Sequence, residues 1–570
     1  RDSSTSRGLG DVYKRQGLLK NDCLGIKELS KLQAVINICN DKYHTDITFQ
    51  NIVQSGLDDP KVYQLLQKGY TQNIFQFSSK GMTKFLVSMQ PDKIEDLIAA
   101  NALFRPATLD SGSTDKYVDC KLGDADPVYL WGTYNAMKNT YGVLCYQEQL
   151  AQIAREVGKF SLGEGVKLVK LISKKKVDKI LALRDKFMAG ANENGCPKED
   201  AEAIWHMFEV AGGYLFNKSH ATAYAVTAYA GAYLKANYPT AFYTIALQWA
   251  KDDEIPTLMS EMELCSEAKI VPPDINVSGG TFITDYETNK IFWSLSRIKM
   301  LGAKATEWII NERNVRGEFS SIENFIERIF RYKLKLYKYW DDPDNPNEAT
   351  KCPVNARHVR HLILSGCFDK VENAQSVIER YAILEKAAKC LGFEISEKDI
   401  PEDLRNKHYF WSQQQIAISG IGAIDYKRIY DNSEAKPQIK GKASWALLKN
   451  IQDPDYDGKR VAICANIVDI EEKKFKDKKT GENRVFCKLL LQQNNDLVEM
   501  VIWNDEWMNV RATLCKGGSL SSAKNKMLIC SAQVKYSDYT GGNNLQLYKS
   551  SIIDLSLIHI SEPTRRRGIS

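Results

Sequence analysis

From Leu18 to about Ile270 apolar residues recur at three- and four-residue intervals, with Lys, Glu and Gln between them. That period predicts amphipathic helices and a mainly α first half. Within it, Phe216-Asn217-Lys218-Ser219-His220 precedes a long run rich in Ala and Tyr, which predicts one long helix that Pro239 should end. The Pro- and Gly-rich stretch from Val271-Pro272-Pro273-Asp274 to Gly279-Gly280 predicts a boundary. Helical periodicity returns from about Leu301 to Ala388, interrupted at Asp341-Asp342-Pro343-Asp344-Asn345-Pro346, whose turn formers and charge predict a solvated loop. After a polar stretch near residues 431–442 the character changes. From Lys459 onward, short β-rich runs at 461–468, 486–491 and 498–503 alternate with polar turns, the pattern of a small β-barrel.

Composition bounds the partners. The 570 residues suggest about three or four domains. The formal net charge is +6, but residues 1–16 and 555–570 supply four of those charges, with seven Lys and Arg against three Asp and Glu. Both ends read as translated sequencing-adapter sequence and are set aside from fold reasoning. The remaining charge, about +2, is not evidence for a nucleic-acid partner, so any such partner must be read from local sites. No apolar stretch approaches the ~18 residues of a membrane span and no signal peptide is visible. The 13 cysteines lack Cys-x-x-Cys pairs, and several sit in apolar runs. They read as reduced, packed thiols of a cytoplasmic protein with no membrane association, and a zinc site is not expected.

Candidate chemistry concentrates in a few motifs. In Leu18-Leu19-Lys20-Asn21-Asp22-Cys23-Leu24-Gly25, a spacing of two places Lys20 and Asp22 on one face of a strand. Arg105, in Ala102-Leu103-Phe104-Arg105-Pro106, can hold a phosphate bidentately. Asn217, Lys218, Ser219 and His220 offer donors at a helix N-terminus, which suits a polyanion such as a triphosphate. Each has a bland alternative: a surface aspartate, the end of a helix, an ordinary N-cap.

Taken together, these motifs resemble the C family of polymerases, whose type is the bacterial replicative DNA polymerase III alpha subunit. The segment 212–239 is similar to that family's fingers signature, and Thr140-Tyr141-Gly142-Val143-Leu144-Cys145-Tyr146-Gln147-Glu148-Gln149 matches its Tyr-Gln-Glu-Gln element, whose polar side chains would organise the fingers. Phe75-Gln76-Phe77-Ser78-Ser79-Lys80-Gly81-Met82, Pro272-Pro273-Asp274-Ile275-Asn276, Val354-Asn355-Ala356-Arg357 and Ser365-Gly366-Cys367-Phe368-Asp369 follow in family order. Ile298-Lys299-Met300-Leu301-Gly302-Ala303-Lys304 resembles a helix-hairpin-helix turn, in which Gly302 lets the backbone approach a DNA phosphate and Lys299 and Lys304 add charge. The β-rich end resembles the family's OB-fold, with Lys473, Lys474, Phe475 and Lys476 in a hairpin suited to single-stranded template; the same lysines could simply keep a β edge soluble.

The resemblance implies a multidomain, mainly α chain: residues 17–34 end an α/β palm, 35–270 form fingers, 271–430 a helix-hairpin-helix region, 431–458 a linker and 459–554 an OB-fold. It implies magnesium-dependent, template-directed addition of dNTPs to a primer on primer-template DNA. Asp22 would be one of three aspartates holding two Mg2+ ions, with Lys20 near the primer phosphates. Arg105, Lys170, Lys174, Lys175, Asn217, Lys218, Ser219 and His220 would hold the nucleotide. The other two aspartates, expected upstream, do not occur here, so an internal fragment, inactive on its own, is expected. No sliding-clamp pentapeptide follows residue 369, which leaves clamp binding open. Ala107-Thr108 stands where the family has Gly-Pro, and Val169 and Lys170 replace an arginine pair. These departures point to a divergent member, with phage origin left open, or to a non-catalytic DNA-binding paralogue.

Overall fold

A computed structural model describes residues 25–330 and 352–553 apart from short stretches at 174–176, 213, 398, 407, 423–425, 432–442, 477–482, 495, 516–518, 525 and 538–541. Residues 25–268 are helical apart from turns and loops, and helices recur from Ala303 to Asp431. The C-terminal part is a β-sheet region, so the chain is mainly helical with β structure at its end. The loops read at 341–346 and 431–442 lie outside the described residues, apart from Asp431 itself.

The helix Lys218–Asn237 is the centre of the first unit. Small residues on all sides let neighbours approach it closely: Ala221, Ala225, Ala228, Ala230 and Ala232 are buried in one core with Leu97, Leu103 and Tyr243. Its packing partners include the helices Ile94–Leu103, Pro60–Gln67 and Lys27–Lys42. It ends at Asn237 as expected, and Pro239 opens the next helix, Pro239–Trp249, where a missing N–H costs nothing. Lys235, near its C-terminal end, is fully buried. Its ammonium donates to the carbonyls of Tyr70 at 3.0 Å and Gln72 at 2.8 Å and pairs with Glu261.

A second core joins the helices Gln147–Glu156, Leu162–Ser173 and Lys198–Ala211 through Leu150, Leu168, Trp205 and Phe208. Val169, which stands where a family arginine was expected, is buried in it. A small sheet follows at the Pro- and Gly-rich boundary: β1 (Lys269–Val271) runs parallel to β3 (Lys290–Phe292), which is antiparallel to β2 (Ile283–Asp285). The third core packs the helices Ala303–Arg316, Ile322–Phe330, Ala356–Leu364 and Arg380–Leu391.

The C-terminal sheet comprises β4 (Ser444–Trp445), β5 (Arg460–Lys476), β6 (Asn483–Gln493), β7 (Asp496–Ile502), β8 (Met527–Ser537) and β9 (Gly542–Ile553), in the order β4-β5-β6-β7-β9-β8. β8 pairs with β5 as well as with β9. Strict alternation sends Cys487, Leu489 and Leu491 of β6 inward, together with Val461, Ile463, Met500 and Trp507. Ala446, Leu448 and Ile451, within the stretch that reads as a linker in sequence, are buried in the same core.

Candidate nucleotide and nucleic-acid site

The loop before the long helix is built by a short parallel bridge between Tyr146 and Phe216. Gln147 N–H donates to the Phe216 carbonyl, and Phe216 N–H to the Cys145 carbonyl, each at 2.9 Å. The Tyr-Gln-Glu-Gln element is thereby bound to the Phe-Asn-Lys-Ser-His loop 70 residues on. Gln149 fixes the other side: its carbonyl oxygen accepts from Cys145 N–H at 2.9 Å and Tyr146 N–H at 2.8 Å, and its amide donates to Thr140 Oγ1 at 2.7 Å.

Asn217 is the N-cap. Its Oδ1 accepts from His220 N–H at 2.9 Å and from the Ser219 hydroxyl at 2.6 Å. Glu148 completes the cap, accepting from Asn217 Nδ2 at 3.0 Å and Lys218 N–H at 2.8 Å. A carboxylate therefore already holds part of the positive helix end. An incoming phosphate would meet the exposed side chains of Lys218, Ser219 and His220 before the backbone donors.

Arg105 arrives from a different motif. It caps the short helix Pro106–Asp110, so Arg105-Pro106 begins a helix instead of ending one. Its exposed guanidinium lies over the Phe216 ring at 4.8 Å, and Lys218 Nζ lies over Tyr146 at 5.6 Å. The His220 ring lies 4.1 Å from that of Tyr224, tilted by 41°, and Tyr224 in turn meets Phe75 at 4.9 Å. Side chains of four motifs dispersed over residues 75–224 thus meet, with Arg105, Lys218, Ser219 and His220 exposed over the buried Tyr146 and the half-buried Phe75, Phe216 and Tyr224. Lys170 is exposed on Leu162–Ser173. Lys20, Asp22, Lys174 and Lys175 lie outside the described residues.

Lys299, Gly302 and Lys304 are exposed at one hairpin beside an open cleft of about 590 Å³, lined in part by Gln248, Ser294 and Arg297. Gly302 has φ −72°, and a Cβ built on it meets nothing within 4 Å, so the protein itself does not require glycine there. Open space at this point suits a close ligand approach. The left-handed residue is Met300, at φ 72° and 52% exposed. Lys299 N–H donates to the Ile418 carbonyl at 2.8 Å, and its own carbonyl meets His361 Nδ1 at 2.5 Å. Since that carbonyl can only accept, Nδ1 carries the proton. The His358 ring meets the Met300 backbone. Burial lowers the pKa of both histidines, reinforced by Arg357.

The profile of the bacterial DNA polymerase III alpha subunit finger domain matches residues 28–195, and that of a helix-hairpin-helix motif matches residues 267–338. The chain is similar to bacterial DNA polymerase III alpha subunits. Relatives bearing that name include the protein of Aquifex aeolicus, 35% identical over 374 residues, which covers 65% of this chain and 30% of that protein. The protein of Thermus aquaticus is 35% identical over 55% of this chain and 26% of its own length. That of Pseudomonas aeruginosa is 27% identical over 98% of this chain and 48% of its own length. The chain thus spans about a quarter to a half of the relatives it matches.

Sequence reasoning missed Glu148 as a direct partner of the Asn217 loop; its only signal was membership of the Tyr-Gln-Glu-Gln element. It also assigned the hairpin to Gly302 without noticing that Met300 takes the left-handed conformation. Lys473 and Lys474 are exposed on β5, with Lys473 3.1 Å from Glu471, and Phe475 is half-buried. For Lys476 only the backbone, at the end of β5, is described. No described helix is long and apolar enough to cross a membrane, and no three His, Cys, Asp or Glu side chains cluster to hold a metal among the described residues.

Proposed function

We propose that the chain is the part of a DNA polymerase III alpha subunit that binds the incoming nucleotide and the DNA during Mg2+-dependent, template-directed primer extension in the cytoplasm. The observation that carries this reading is the convergence of Arg105 with Lys218, Ser219 and His220. An ammonium, a hydroxyl and an imidazole on one helix end, with a guanidinium held beside them over the Phe216 ring, suit the phosphates of a dNTP. Lys170, Lys174 and Lys175 extend that grip. Glu148 keeps the loop ordered until the phosphates arrive. Asp22 would supply one carboxylate to the metal site, with Lys20 beside it at the primer end; magnesium there would stabilise the attacking and leaving oxygens.

Residues 35–270 serve as fingers and 271–430 as the helix-hairpin-helix region, where Lys299, Gly302 and Lys304 contact duplex phosphates without reading sequence. Residues 459–554 act as an OB-type barrel for single-stranded template, using Lys473, Lys474, Phe475 and Lys476. The double pairing of β8 supports that reading, because it gives β5 to β9 a closed order.

Primer extension by the intact protein tests this. Arg105→Ala should raise KM for dNTP about tenfold or more with little change in DNA binding, and Asp22→Ala should abolish extension. An intact protein that binds primer-template but never extends it would be a DNA-binding paralogue, and the polymerase reading would be wrong.

A further inference from the structure

The hairpin at Lys299–Gly302 is held by two histidines one turn apart on the helix Ala356–Leu364. His361 Nδ1 donates to the Lys299 carbonyl at 2.5 Å, and Lys299 N–H donates to Ile418, so residue 299 is tied at both backbone groups. His358 Nδ1 accepts from Asn355 N–H at 3.3 Å, which leaves the proton of the neutral ring on Nε2. The Met300 backbone acts on that ring as an accepting carbonyl does, favouring the protonated form. Two consecutive carbonyls of the turn are thus held by ring N–H groups. The clamp also accounts for a methionine at φ 72°, a conformation that persists only where its surroundings impose it. Immediately beyond, the helix Ala303–Arg316 starts from Gly302 without a side-chain cap, so its first N–H groups have no side-chain acceptor.

We infer that His361, aided by His358, is a positioning residue for DNA: it holds the turn's carbonyls so that N–H groups and lysines face a phosphate, and a proton gained by His361 tightens that hold. The inference rests on the reading of residues 271–430 as a duplex-binding region and adds a pH response that its lysines cannot supply. His361 can take a second ring proton on Nε2 without releasing the Lys299 carbonyl, because Nδ1 donates in either state. His358 cannot, because its Nδ1 lone pair serves Asn355 N–H. The charges acting on His361 are Arg357, Arg360 and His358 of its own helix, with Arg360 paired to Asp399 at 2.5 Å. Of the helices packed against it, His408–Ser419 contains no Asp, Glu, Lys or Arg, and Arg380 of Arg380–Leu391 is bound to Asp369. Burial and these cations oppose protonation of the free protein. A phosphate drawn to the hairpin by Lys299 and Lys304 relieves that opposition, so protonation and DNA binding favour each other.

The test measures the affinity of the full chain for a short duplex at pH 8.0 and 6.0 and fixed salt. The unaltered chain should bind about two- to fivefold more tightly at the lower pH, the size of one partly screened charge pair. His361→Gln, whose amide can still donate to the Lys299 carbonyl, should match it at pH 8.0 and lose the gain at pH 6.0. His361→Leu, which has no donor, should bind about fivefold more weakly at both values; should that variant fail to fold, the glutamine variant decides alone. Equal affinity of the unaltered chain at the two pH values, a full pH gain in His361→Gln, or unaltered binding by His361→Leu would each overturn the proposal. In those cases the duplex reading still stands if Lys299→Ala/Lys304→Ala weakens binding, and it fails as well if that double variant binds as the unaltered chain does.

Discussion

Replacing Lys235 by Met removes the cation that holds the C-terminal end of the site helix. The ammonium uses all three protons, on the Tyr70 carbonyl at 3.0 Å, the Gln72 carbonyl at 2.8 Å and the Glu261 carboxylate. Glu261 in turn accepts from Tyr243 Oη at 2.9 Å and Gln72 N–H at 3.0 Å. Burial lowers the Lys235 pKa and Glu261 opposes that shift, so the pair is held together against its own desolvation. Met fills the volume of the lysine stem but strands a carboxylate that is 7% exposed and two carbonyls. Breaking a buried pair in this way costs about 3–5 kcal/mol. The urea dependence of pulse proteolysis, followed on fragments from residues 25–268, measures the loss. Lys235→Met/Glu261→Gln should recover at least about 1.5 kcal/mol of it, because the glutamine keeps acceptors for Tyr243 and Gln72 without a charge. A single-variant loss below about 1 kcal/mol, or strictly additive effects, would refute the argument that the pair acts as one buried unit.

Gly142, at φ 76°, would bring a Cβ to 2.4 Å from the Val128 carbonyl oxygen, so Gly142→Ala should cost about 2 kcal/mol or more, read as a lowered urea midpoint. Met300→Gly relieves a left-handed residue worth about 1–2 kcal/mol while adding about 0.5–1 kcal/mol of unfolded-chain entropy. A small net gain in thermal midpoint is therefore expected, and a clear loss would mean that the Met300 side chain is held by contacts. His358 and His361 titrate below their unfolded value of 6.5. Between the two values the unfolded chain binds more protons, so their contribution is present above pH 6.5 and lost as pH falls through the depressed values. Urea midpoints at pH 7.5 and 5.5 should fall less in His361→Asn than in the unaltered chain; equal falls would place the sensitivity elsewhere.

The chain pattern alone marked where helices give way to the C-terminal strands, because the change from a 3.6-residue to a two-residue period is local and is set by backbone geometry, but it did not show the small sheet β1–β3, whose strands are only three residues long. It also marked the end of the long helix, since Pro239 cannot continue one. The family motifs were legible as linear strings, and so were Arg105 and Phe216–His220 as candidates. Their meeting was not, because it depends on a bridge between Tyr146 and Phe216 and on the alanine-rich packing that brings distant helices together. The triangle of rings formed by Phe475, Phe486 and Trp503 was equally hidden. In sequence Phe475 lies in the lysine-rich hairpin and Phe486 and Trp503 in two separate β-rich runs, and only the strand register, set by which side of each strand must be buried, turns them into one surface.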